Sequence, residues 1–99
     1  MSYEIYFDWQ GQPIDMLAWT RLFEDDRSLG DERIGDARVS TVWLGLNHNW
    51  LPGPPLIFET LIFGGEHADW MRRYGSEREA RDGHAAAVAW LRGEAPEPE

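Results

Sequence analysis

The 99-residue chain has no cysteine, which excludes disulfides, thiolate metal ligands and cysteine nucleophiles. It is poor in basic residues. Nine Lys and Arg stand against 18 Asp and Glu, a formal charge of −9. Such a surface repels phosphate backbones and anionic lipid, so neither direct nucleic-acid binding nor membrane-surface binding is expected. A partner with a basic surface is favoured instead. No apolar run approaches the ~20 residues of a membrane span. The opening MSYEIYFDW lacks a basic segment followed by an apolar stretch, so no signal peptide is expected and a cytoplasmic setting fits. Motifs of chemistry are missing too. Ser40 and Thr41 have no GxSxG-type elbow around them. No glycine-rich strand-to-helix loop is placed to hold phosphate. His48, His67 and His84 show none of the HxH, HxxxH or HExxH spacings, and the calcium-loop pattern is absent. No catalytic residue, no cofactor and no metal site is therefore expected.

What is present is a foldable chain with 42% hydrophobic residues and six tryptophans. Length and composition predict one domain over residues 1–93 and a disordered acidic tail, EAPEPE, over 94–99. The stretch 38–63 organises the rest. Val39, Thr41 and Trp43 alternate with Val42, Leu44 and Leu46, predicting a strand over 37–47 covered on both faces. Gly45 marks a bulge or a close approach. Leu56, Phe58, Thr60 and Ile62 alternate with Ile57, Glu59, Leu61 and Phe63 in a partner strand over 56–63. Between them NHNWLPGPP is a stiff projecting loop with Trp50 and Leu51 at its tip. Gly64 and Gly65 turn the chain into a further strand over 68–74.

Before this hairpin, Tyr3, Ile5, Phe7 and Trp9 alternate as a first strand. Ile14, Leu17, Ala18 and Leu22, with Met16, Trp19 and Phe23 alongside, predict a helix over 14–25 with a wide apolar face. Residues 24–36 hold Glu24, Asp25, Asp26, Asp31, Glu32 and Asp36 with two glycines, and read as a solvated acidic loop. After the hairpin, Ser76 and Glu79 form a capping box for a helix over 76–92. Its face Ala80, His84, Ala87, Val88 and Leu91 packs on a sheet. The fold class is α+β: a mostly antiparallel four-stranded sheet in the order β-α-β-β-β-α, with the helices on one face.

Two constellations remain. His48, Glu59 and His84 would form a polar group if the hairpin register brought them together. A histidine satisfied by a carboxylate and pinning the strands is the reading preferred for them. The second is the acidic set Glu24, Asp25, Asp26, Asp31, Glu32 and Asp36, with Trp50 and Leu51 as apolar anchors for a partner.

The strings VSTVWLGLNHNW (39–50), PPLIFETLIFGG (54–65) and RYGSEREARDGHAAAV (73–88) resemble a family of small proteins encoded by bacteriophages and prophages. His48, Glu59, Thr60, Arg73, Tyr74, Glu79 and His84 carry the pattern. Asn47, Arg78 and Arg81 depart from it. The resemblance implies a phage-borne accessory protein in the host-cell cytoplasm, and no reaction. With the acidity, it leads to the expected function: a non-enzymatic protein that inhibits a host defence complex, anti-CRISPR in kind, by occupying a basic nucleic-acid groove. The alternatives are a small enzyme or ligand-binding domain using His48, Glu59 and His84, and a structural protein that pairs with itself through the first helix.

Overall fold

The computed structural model describes residues 5–49 and 51–99. Six elements follow one another: α1 (Met16–Glu24), β1 (Ser28–Ile34), β2 (Ala37–Trp43), β3 (Phe58–Phe63), β4 (Met71–Tyr74) and α2 (Glu77–Leu91). The four strands form an antiparallel meander in the order β1-β2-β3-β4. The α+β class and the four-stranded antiparallel sheet are as the sequence predicts, but the element order is α-β-β-β-β-α. Among the described residues no helix is long and apolar enough to cross a membrane.

The difference lies in which segment supplies the first strand. Tyr6 and Phe7 make only isolated bridges, to Leu46 and Pro13. The Asp8 carboxylate accepts from the Gln10 and Gln12 amides, at 2.9 and 2.8 Å, and this turn ends any ladder before it starts. Tyr3, on the same expected strand, lies outside the described residues. The acidic stretch, expected as a loop, provides β1 instead. It pairs along β2 from Ser28 to Ile34, with one irregularity at Ser28/Gly30. Edge strands tolerate charge and guard against stray pairing by carrying it. Low apolar content was therefore no argument against a strand here.

Alternation in β2 and β3 sets the core. Val39, Thr41, Trp43, Phe58, Thr60 and Ile62 are all fully buried on the inner face. α2 covers that face with Ala80, His84, Ala87 and Val88. Its start is the predicted box: Ser76 accepts from the Glu79 amide at 3.1 Å and bonds the Glu79 carboxylate at 2.9 Å. Two apolar clusters result. One holds Phe7, Trp43, Ile57, Phe58, Tyr74 and Ala80; the other Ala37, Val39, Ile62, Ala87 and Val88. The row Thr41–Thr60 lies between them, so a polar belt divides the core.

α1 is capped by Asp15, whose carboxylate accepts from the Ala18 amide at 2.8 Å. None of its residues is buried. Trp19 and Phe23 stack together, Phe23 reaches Trp43, and the Trp19 indole donates to the Leu44 carbonyl at 2.9 Å. The wide apolar face is thus split: its aromatic half joins the core, and Met16 and Leu17 stay exposed. Gly45 lies against the rings of Trp43 and Trp19, the close approach its place predicts. In the C-terminal tail the Pro98 carbonyl accepts from Arg72 at 3.2 Å.

Candidate functional site

The polar belt is a continuous chain of side chains. Tyr74 donates to Thr60 Oγ1 at 3.1 Å, and Thr60 is bonded to Thr41. Thr41 meets His84 Nδ1 at 2.7 Å, and His84 Nε2 meets Glu32 Oε1 at 2.9 Å. Arg92 lies 3.6 Å from the other Glu32 oxygen. Every strand and α2 contributes a member. Donor directions follow from the ends. A carboxylate only accepts, so with a neutral imidazole Nε2 carries the proton and Nδ1 accepts from the Thr41 hydroxyl. Thr41 then accepts from Thr60, and Thr60 from Tyr74. All the donors point from Tyr74 toward Glu32. Burial raises the Tyr74 phenol above its ordinary value, against the opposing Thr60 bond and Arg72, which keeps it a donor.

Local sequence explains why this chain assembles. Gly30 pairs with Thr41 beneath α2. A side chain there would collide with the His84 imidazole, so glycine makes room for the ring to reach Glu32. Thr41–His84–Glu32 has the connectivity of a hydroxyl nucleophile, its base and an orienting carboxylate. Thr41 and Thr60 have no exposed surface and His84 only 7%. The Thr41 oxygen is thus closed off from solvent, and the chain ties the four strands to α2.

His48, Glu59 and His84 do not come together. Val42 pairs with Glu59 while Thr41 pairs with Thr60, which puts Glu59 on the outer face of the sheet and His84 on the inner. Glu59 is bonded to Arg73 at 3.1 Å. Burial, helped by the Arg73 guanidinium, holds the His48 imidazole below its ordinary value against the pull of Glu59. The carboxylate that satisfies His84 is Glu32, 52 positions away in the chain. Among the described residues no group of three or more His, Cys, Asp or Glu side chains is placed to share a metal.

The acidic set divides into spent and free carboxylates. Asp31 takes both arms of Arg38, at 2.8 and 2.7 Å, and this bond holds its carboxyl below the usual range. Glu32 is held by His84 and Arg92. Asp26 accepts from the Ser28 amide at 3.0 Å, starting β1. Glu24, Asp25, Asp26 and Asp36 are exposed and make no salt bridge among the described residues. Leu51 is 75% exposed; Trp50 lies outside the described residues.

A cleft of about 370 Å³ also opens beside Asp36, lined by Ile34, Glu66, His67, Trp90 and Leu91 among others. His67 packs on Trp90 at 4.1 Å. Nothing in the spacing of His67 and Trp90 announces this pair; only the return of α2 to the β3–β4 turn makes it. Compared with protein-family models, curated proteins and solved structures, the chain gives no match.

Proposed function

We propose that the protein is a phage-encoded acidic binding protein that inhibits a host defence complex, CRISPR-type interference being the concrete case. The reading rests on one observation. The free carboxylates flank the β1 edge, with Glu24 and Asp25 before its start and Asp36 in the turn at its end. At about 3.3 Å per residue the edge between them is roughly 25 Å long, a spread of negative charge suited to a basic groove that holds nucleic acid. Leu51, 75% exposed in the loop between β2 and β3, supplies an apolar contact. The likeness of the hairpin and α2 strings to phage proteins supports the same reading, and so does the sealing of the hydroxyl–imidazole–carboxylate chain. Charge of this kind governs encounter more than residence, so the apolar contact limits dissociation.

The test is competition for a purified interference complex, read as release of its labelled target DNA. The native protein displaces DNA, and the Glu24→Lys, Asp25→Lys, Asp36→Lys variant associates at least about tenfold more slowly. Asp26, Asp31 and Glu32 are left intact because they serve the fold. Undiminished competition by the reversed variant removes the charge argument. No displacement by the native protein removes the target class.

A further inference from the structure

The sheet shows its inner face to α2 and the aromatic cluster, and among the described residues no element packs on its outer face. Three cross-strand rows make up that face: Arg33–Arg38–Phe63, Asp31–Ser40–Leu61–Met71 and Ser28–Val42–Glu59–Arg73. A solvated sheet face is ordinarily polar. Here Val42, Leu61, Phe63 and Met71 stand in adjoining rows, Phe63 at 46% and Met71 at 45% exposure. Four of the five charges around them are matched within the face. Asp31 is bound by Arg38 and Glu59 by Arg73, and the Arg38 guanidinium lies 5.5 Å from the centre of the Phe63 ring.

Two carboxylates and three guanidiniums give this face a slight positive excess, although the chain carries −9. All of the surplus negative charge therefore lies on other surfaces. Two copies meeting here bring together faces whose central charges are already paired, and the one unmatched charge on each, Arg33, is exposed on edge strand β1 and can stay in water at the rim. The exposed end of α1 is a poorer meeting place. Met16 and Leu17 are only two side chains in the first turn of α1, next to the Asp15 cap, a smaller apolar patch than the four residues of the sheet face.

We propose that two copies of the chain associate through the outer sheet face, with β2 and β3 of one over β2 and β3 of the other about a two-fold axis. The inference is independent of the acidic edge. Four strands about 4.8 Å apart, some six residues long, present roughly 400 Å² in plan. Over both copies that is about 800 Å², at the bottom of the range for specific contacts, so the dimer is weak and concentration-dependent.

Sedimentation equilibrium of the full chain from about 5 to about 500 µM tests it. The average mass rises from 11.4 kDa toward twice that value. Phe63→Glu and Met71→Glu each hold the monomer mass with an unchanged circular dichroism spectrum, while Leu17→Glu still dimerises. Met71 lies on the short edge strand, so Met71→Glu decides the matter if Phe63→Glu does not fold. A native protein that stays at the monomer mass throughout overturns the proposal. So does a dimer lost in Leu17→Glu but kept in the two sheet variants.

Discussion

Replacing Thr41 by Val removes one oxygen from the middle of the buried chain and changes little else. That oxygen has no exposed surface and two partners, Thr60 and His84 Nδ1. Two hydrogen bonds are lost, each worth about 1 kcal/mol net, and the stranded imidazole nitrogen and Thr60 proton cost about 1–3 kcal/mol between them. The added apolar methyl returns part of this, leaving about 2–4 kcal/mol of destabilisation. At about 4–8 °C per kcal/mol for a domain of this size, Tm falls by roughly 10–25 °C. Thr60→Val carries a similar cost, because it strands the Tyr74 hydroxyl. In the double variant the Thr41–Thr60 bond is removed once rather than twice. The two costs then fall short of additivity by about 1 kcal/mol. Urea unfolding followed by tryptophan fluorescence measures all three variants. Thr41→Val within about 0.5 kcal/mol of the native protein, or strictly additive single costs, would refute a coupled buried chain.

Gly30→Ala pushes a methyl group into the His84 ring and separates the imidazole from Glu32, at a cost of about 2–4 kcal/mol in urea unfolding; Gly35→Ala, at a turn with open space around it but a φ of 58°, should cost only about 1 kcal/mol. The His48 imidazole, held below its ordinary 6.5 by burial and Arg73, takes up a proton more readily in the unfolded chain. Its contribution is therefore complete above pH 6.5 and is lost as pH falls through the folded value. Stability profiles of the native protein and His48→Gln should diverge below about pH 6.5, with the variant declining less. Coincident profiles between about pH 5 and 7 would show that His48 is not linked to folding.

Much of the fold is legible because it is local. The period-2 alternation of 39–43 and 58–62 places the same residues inside in both strands, and those residues are the core. The Ser76–Glu79 box starts α2 where it reads. β1 was hidden by its composition, since acid at six positions from Glu24 to Asp36 resembles a solvated loop. Its signal was the two-residue Gly35–Asp36 turn before Ala37, a hairpin connection whose glycine adopts φ 58°. Once that turn is recognised, Gly30, Glu32 and Ile34 fall on one side and Asp31 and Arg33 on the other.

Alternation, caps, turns and charge can be read directly, because each depends on residues within a few positions of one another. That Glu32, and not Glu59, satisfies His84 follows from the assembled fold alone. The same holds for the split of the acids into spent and free, and for the outer sheet face that α2 leaves uncovered. These outcomes depend on strand register and on which sheet face α2 covers. A one-residue shift in register moves every side chain of a strand to the other side. No local pattern reports which carboxylate then lies within 3 Å of a ring nitrogen contributed from the far end of the chain.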